Sequence, residues 1–231
     1  MKRSLAIIPA RGGSKRLKNK NTIMLGDKPL ITWTIEAALK AKAIDHVVVS
    51  TDCESIADVA RSAGADVPFM RPETLGSDES TTTDVLLHAI ATLGAENYDT
   101  LTLLQPTSPF RSADDIDNAF TLFEEKDADG IISIMKAKHH PLWSNTLPPD
   151  WSMDSFIPKE YLNKRSQDLP QFYSLNGAIF IYKLKAFIAH HGIFYSDKIY
   201  GFEMSDTSSI DIDDKFDFWA AEAILRNEDV L

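Results

Sequence analysis

Between residues 5 and 135 short apolar runs alternate with stretches of helical periodicity, and few folds accommodate that alternation. Leu5–Pro9 reads as a strand buried on both faces, because it is a short apolar run that stops abruptly at a polar loop. From Pro29 to Ala41 the residues Ile31, Ile35, Ala38 and Leu39 recur at helical spacing, with Pro29 suited to a first turn. Val47–Val49 reads as a second strand. Thr51, followed three residues later by Glu54, makes a capping-box pattern for a helix that runs through Ala63 and ends at Gly64. Val67–Met70 predicts a third strand, Thr82–Leu93 a helix, Thr100–Leu104 a fourth strand, Asp114–Glu125 a helix and Ile131–Met135 a fifth strand. The order predicts an α/β fold: a doubly wound, mostly parallel sheet with helices on both faces and right-handed crossovers. Ligands of such sheets sit beyond the carboxyl ends of the strands.

The period is lost between about residues 136 and 172, where Trp143, Trp151 and Tyr161 are interspersed with Pro141, Pro148, Pro149, Pro158 and Pro170. So long an irregular stretch inside a compact domain reads as a lid, a binding loop or an oligomerisation arm. Order returns with a strand at Asn176–Lys183, a helix at Leu184–His190, a strand at Lys198–Met204 and a helix at Lys215–Arg226. A chain of 231 residues is ordinary for one α/β domain, so residues 1–231 are read as a single domain with an inserted arm at about 136–172.

Charge narrows the function. A formal net charge of -10 argues against a nucleic-acid scaffold or a polybasic membrane binder, both of which need a broad positive face. No apolar stretch approaches the ~20 residues of a spanning helix. Met1-Lys2-Arg3 before an apolar run has the outline of a signal peptide, but the run stops at Arg11 without a small-residue cleavage pattern. The one cysteine, Cys53, excludes an intrachain disulfide and fits a reducing compartment, so the cytoplasm is expected.

Against this acidic background one loop is out of character. Directly after the first strand come Arg11, Lys15, Arg16, Lys18 and Lys20, around the adjacent Gly12 and Gly13, with no acidic residue before Asp27. Glycines let backbone N–H groups approach phosphate oxygens and cations neutralise them, so this loop is a candidate triphosphate cradle, held by Arg11 with Lys15 or Lys20. It has neither the P-loop nor the GxGxxG pattern, and a solvated basic loop is the alternative. In Ser209-Ile210-Asp211-Ile212-Asp213, an extended chain would put Asp211 and Asp213 on one face and the isoleucines in the core. Two such carboxylates can share Mg2+; alternatively Asp213 or Asp214 caps the last helix. Gln105-Pro106-Thr107-Ser108 closes the fourth strand, where Gln105 could hydrogen-bond a sugar or base. His139-His140 and His190-His191 lack zinc-site spacing, and Cys53 reads as a buried thiol.

Four motifs in this order resemble the acylneuraminate cytidylyltransferase family: PARGGSKRLKNKN (9–21), LLQPTSPFR (103–111), LNGAIFIY (175–182) and SIDID (209–213). VSTD (49–52), RPETLGSD (71–78) and SQDLP (166–170) add to the match, which covers nearly the whole chain. The Kdo cytidylyltransferases differ after the initial PAR. The resemblance implies a sheet of the nucleotide-diphospho-sugar transferase type, and transfer of CMP from CTP to the anomeric C2 hydroxyl of an acidic nine-carbon sugar. By resemblance Arg11, Lys15 and Lys20 hold the triphosphate, and Gly12, Gly13, Ser14, Asn21 and Arg71 complete the nucleotide site. Gln105, Arg165, Asn176 and Gly177 lie near the sugar. Asp211 and Asp213 carry Mg2+, with Asp211 also positioned to accept the hydroxyl proton. The arm fits the part by which family members form homodimers and reach into the partner's site.

Some sialate-using relatives carry a lysine where this chain has Trp143 and an arginine immediately before QxLP, where this chain has Ser166 preceded by Arg165, and Ser174 stands where an arginine is often found, so the acid is open between sialic and legionaminic acid. The intact NGAI segment speaks against pseudaminic acid. Two other classes fit the alternation less well: a catalytically inactive nucleotide-sugar-binding domain, against which Lys20, Asp211 and Asp213 speak, and an NAD-dependent oxidoreductase, against which the missing GxGxxG speaks.

Overall fold

The computed structural model describes residues 3–77 and 79–227. In chain order its elements are β1 (Ser4–Pro9), a small hairpin of β2 (Met24–Leu25) and β3 (Lys28–Pro29), α1 (Leu30–Lys40), β4 (His46–Ser50), α2 (Glu54–Ser62) and α3 (Thr82–Leu93). There follow β5 (Thr100–Leu104), α4 (Ala113–Glu125), β6 (Gly130–Lys136), β7 (Tyr173–Lys183), α5 (Leu184–Ala189), β8 (Ile199–Glu203) and α6 (Lys215–Leu225).

Alternation of side chains along β1 builds the two layers. Ala6 and Ile8 pack on one face with Ile31 and Ile35 of α1, Ile56 of α2 and Ile116 of α4. Leu5 and Ile7 pack on the other with Leu86 and Ile90 of α3 and Phe187 of α5. Helices on both faces make the fold doubly wound, as the alternation predicts. The six strands are ordered β4-β1-β5-β7-β6-β8. β1 pairs in parallel with β4 and β5, and β6 in parallel with β8, whereas β7 runs antiparallel to both β5 and β6. The chain leaves β1 to one side for β4 and returns to the other for β5. The strand order therefore reverses at β1, and the crevice beyond its carboxyl end is where such a sheet binds ligands.

Three local expectations are corrected. Val67–Met70 is not a strand; the segment touches the edge of β4 only at the isolated bridges Val48–Asp66 and Thr51–Met70. Pro68, which has no N–H to give to a ladder, lies between them. Thr51 does not cap α2: it is buried, its hydroxyl accepts the Cys53 N–H at 3.2 Å, and Cys53 takes the N-cap position without a side-chain cap. Pro29 ends β3 and precedes α1 rather than sitting in its first turn. Genuine capping boxes open α3 at Thr81 and Asp84, α4 at Ser112 and Asp115, and α6 at Asp214 and Asp217.

Between Lys136 and Tyr173 the described residues contain no α-helix or strand, only short 3-10 turns such as Pro141–Trp143 and Lys159–Tyr161. Trp151 and Leu162 of this arm are 76% and 58% exposed, unusually high for large apolar side chains.

Candidate active site

Three adjacent parallel strands deliver polar residues at their carboxyl ends: β1 leads to Arg11, β4 to Asp52 and β5 to Gln105. The basic loop then turns back over the sheet. Asn19 takes a left-handed conformation (φ 56), tolerated by asparagine, and its carbonyl accepts the N–H groups of Thr22 and Ile23 at 2.9 and 3.0 Å. This turn carries Lys20 and Asn21 back toward Arg11: the Asn21 Nδ2 donates to the Arg11 carbonyl at 2.9 Å.

A small third core brings the distant carboxylates to this loop. Leu17 of the basic loop, Leu25 of the hairpin, Phe110, Ile212 and Phe218 of α6 are buried together. Ile212 is fully buried, and its N–H donates to the Thr107 carbonyl at 2.8 Å. The chain on either side of Ile212 therefore presents Asp211 and Asp213 to the cleft, as the expected alternation requires, although the segment forms no strand. Lys20 Nζ lies 3.1 Å from Asp213 Oδ1, 193 residues away in sequence, and Arg16 Nη1 lies 2.7 Å from the other oxygen. The helix-capping alternative is resolved: Asp214 accepts the N–H groups of Phe216 and Asp217, which leaves both aspartates of the motif to the cleft.

The two carboxylates are unlike. Asp211 keeps an exposed edge, and partial loss of water around its carboxyl, with Asp213 beside it, holds that group above its ordinary pKa, against a hydrogen bond from Thr107 and the pull of Lys20. For Asp213 the same burial is outweighed by Lys20 and Arg16, and its pKa lies below the ordinary value. Two carboxylates lining a cation-rich cleft suit a hard divalent cation that also takes phosphate oxygens, and Asp213 would have to release Lys20 or Arg16, which now hold both of its oxygens, to serve as a donor.

The cleft encloses about 690 Å³ and is lined by Arg11, Ser14, Lys15, Lys20, Asn21 and Arg71, by Gln105 and Thr107, and by Asp211 and Asp213. Most of the residues expected in the site are therefore brought together. Two of its members carry unmet hydrogen-bonding capacity: Asn21 Oδ1 and Arg71 Nε are buried without a partner.

Five expected residues take other places. Gly12 does not offer its N–H to the cleft; that group donates to Asp52 Oδ1 at 3.0 Å. Its small size is needed instead because a Cβ there would stand 2.9 Å from the Cβ of Cys53, which is half-buried. Gly13 does not line the cleft, and a Cβ on it would meet nothing within 4 Å. The Asn176 carboxamide is turned inward, donating to Ser209 Oγ at 2.9 Å and accepting from Ser133 Oγ and from the Ala178 N–H. It braces the bulge in β7 where pairing with β6 shifts register. Gly177 (φ +75) lies under Gln105, whose Oε1 would be 2.7 Å from a Cβ there. Arg165 is on the exposed arm, outside this cleft, in a two-pronged pair with Asp168 at 2.9 and 3.2 Å.

Two polar residues in or under the site had no expected role. Asp52 accepts hydrogen bonds from the Gly12 N–H and from Arg71 Nη2. Arg111 is 1% exposed, and its Nη1 donates to the carbonyls of Gln105 (3.2 Å) and Ala178 (2.9 Å), tying the β5 loop to β7. Burial pulls its pKa down to about 9, Asp115 opposing. Both residues end motifs that follow buried strands, a position that is itself a signal in an α/β sheet.

A family model described as Cytidylyltransferase matches residues 5–196. Among curated proteins, the N-acylneuraminate cytidylyltransferase of Escherichia coli O18:K1:H7 is 36% identical over 97% of this chain and 52% of its own length. The CMP-N,N'-diacetyllegionaminic acid synthase of Legionella pneumophila is 36% identical over 99% of both chains. The chain thus spans about half the length of the first relative and nearly all of the second. Among solved structures, a CMP:2-keto-3-deoxy-manno-octonic acid synthetase complexed with CTP superposes with a TM-score of 0.74 at 18% identity, covering 98% of this chain and 99% of that one, a likeness of fold.

Proposed function

Because this chain belongs to the cytidylyltransferase family, we propose that it transfers CMP from CTP to the anomeric C2 hydroxyl of an N-acylneuraminate, giving a CMP-sialic acid and pyrophosphate. The observation that carries the reading is the meeting of Arg11, Lys15 and Lys20 with Asp211 and Asp213 in one cleft. An acidic sugar must approach a triphosphate that already bears several negative charges, so repulsion is a large part of the barrier. Arg11 and the lysines offset it and stabilise the charge that gathers on departing pyrophosphate.

Arg71 and the unmet Oδ1 of Asn21 are at hand for nucleotide polar groups, and Gln105, with Gly177 beneath it, for the sugar. The C2 oxygen attacks the α-phosphorus, the bond from that phosphorus to the oxygen bridging to the β-phosphate breaks, and the hydroxyl proton passes to Asp211. A carboxyl held above its ordinary pKa suits that role better than its neighbour Asp213 does. Asp211 and Asp213 would hold Mg2+, which when bound neutralises phosphate charge.

A second acid is favoured by a specific observation: the legionaminate relative matches along its whole length at the same identity as the sialate relative. The exposed arm with Arg165 is read as the homodimer contact that reaches into a partner's cleft, and the setting as cytoplasmic. Among the described residues no helix is long and apolar enough to cross a membrane.

The test is pyrophosphate release from CTP, ATP or UTP, with Mg2+ or EDTA, on a panel of N-acetylneuraminate, N,N'-diacetyllegionaminate, pseudaminate and Kdo. Release with CTP and N-acetylneuraminate, abolished by EDTA, is the expected result. Release only with legionaminate moves the substrate to the second acid, and no release with any acid removes the reaction.

A further inference from the structure

A carboxylate is the wrong charge to build into a triphosphate site, yet Asp52 sits among its cations. Its side chain is 14% exposed and that of Arg71 is 3% exposed, so neither charge is dissipated in solvent. One oxygen, Oδ1, accepts two hydrogen bonds, from the Gly12 N–H at 3.0 Å and from Arg71 Nη2 at 3.1 Å. The other, Oδ2, lies against Gly76: a Cβ there would stand 2.2 Å from it. Three segments far apart in sequence, the basic loop, the turn after β4 and the stretch from Arg71 to Gly76, thus converge on one carboxyl group.

We propose that Asp52 is the positioning residue of the nucleotide site, holding the basic loop and the Arg71 guanidinium in register with each other so that both meet the same ligand. The inference deepens the reading of the cleft as a CTP site and rests on it. Bare Arg71 would face both burial and repulsion from Arg11. Asp52 stabilises it in place and occupies Nη2, while Nε keeps its unmet donor. By engaging the Gly12 N–H, the same oxygen anchors the start of the loop that carries Lys15 and Lys20. The net cost of one negative charge is offset because Asp52 is committed to donors on Oδ1 and shielded by Gly76 on Oδ2. Gly76 has no positive φ, so the clearance for Asp52 is the constraint that selects glycine there.

Binding of CTP by isothermal titration calorimetry in the intact chain, together with KM values for CTP and for the acid sugar, tests this. Asp52→Asn keeps an acceptor for the Gly12 N–H but loses the charge that holds Arg71, and CTP affinity and KM should worsen about tenfold while kcat and the KM for the sugar change little. Asp52→Ala loses both contacts and should be worse. Arg71→Met and Asp52→Asn combined should be hardly weaker than Arg71→Met alone, since the charge acts through the guanidinium. Gly76→Ala, which displaces the carboxylate without removing it, should weaken CTP binding as well, and adding Asp52→Ala should not compound the loss. Unaltered CTP binding in Asp52→Asn and Gly76→Ala, or effects of Asp52→Asn and Arg71→Met that simply add, would overturn the proposal. So would a loss falling equally on CTP and sugar. Failure of the wild-type chain to bind CTP would remove the CTP reading and this inference together, a result distinct from all of these.

Discussion

At the scale of single residues the two aspartates of one motif are set apart by environment. Asp211 is shifted upward by burial beside Asp213, and Asp213 downward because Lys20 and Arg16 outweigh its burial. The signs follow from linkage. A carboxyl with a raised folded-state pKa contributes stability below its unfolded value, near 3.8, and that contribution is lost as pH rises through the folded value. At neutral pH Asp211 is therefore a charge the fold tolerates at a cost. Asp211→Asn should raise the neutral-pH melting temperature and flatten its fall as pH rises above 3.8, while CMP transfer drops by at least about a hundredfold. Thermal melts across that range, paired with pyrophosphate release, check both halves; a variant that is less stable and equally active would refute the assignment. Residue types and spacing alone marked this pair and the basic loop as candidates. They could not reveal that the Gly12 N–H and the Asn176 carboxamide are consumed internally, because those partners, Asp52 and Ser209, are distant in sequence.

At the scale of elements, the ends of helices and one bulge set the positions of site residues. Helix α6 is capped by Asp214, which with Asp217 closes a reciprocal box immediately after Asp213. Asp214→Ala should cost about 1 kcal/mol of stability by chemical denaturation, the usual value of an N-cap, with far less loss of activity than Asp211→Asn. The bulge between β6 and β7 makes a second case. Ser133 Oγ accepts the Ile179 N–H at 2.8 Å where the ladder is interrupted, and Gly177 adopts φ +75 beneath Gln105. Gly177→Ala should cost roughly 1–2 kcal/mol for the left-handed conformation and tilt Gln105, raising the KM for the acid sugar while that for CTP stays near wild type. Equal effects on both KM values would show that Gln105 does not serve the sugar. Helices α3, α4 and α6 were legible from periodicity, as were β1 and β5. The segment at Val67–Met70 was not, because its apolar pattern suggests a strand while Pro68 denies the ladder a donor.

At the scale of the whole molecule, alternation specified two helical layers but not the direction of β7. A strand reached through a long arm is under no crossover constraint, so nothing local distinguishes parallel from antiparallel insertion between β5 and β6. The closure of the site was equally hidden, since it depends on a third core that gathers Leu17, Phe110, Ile212 and Phe218 from remote parts of the chain. The arm is the converse: an irregular composition marked it, and the structure leaves its apolar side chains uncovered. Trp151, Met153 and Leu162 are 76%, 59% and 58% exposed, while Tyr173 and Leu175 at the start of β7 are 47% and 53% exposed. Large apolar groups clustered along one segment mark an interaction surface. With Arg165 carried on that segment and outside its own chain's cleft, a second copy is the partner that would let the arm serve the reaction. Light scattering coupled to size exclusion at micromolar protein should therefore give twice the 25.8 kDa chain mass. Trp151→Ser with Leu162→Glu should shift the population toward monomer, because a charge then replaces an apolar anchor. If Arg165 acts across the pair, mixing inactive Asp211→Asn chains with inactive Arg165→Ala chains should restore part of the activity, since one of the two clefts in a mixed dimer would be whole. No recovery on mixing, in chains shown to exchange partners, would confine Arg165 to its bridge with Asp168.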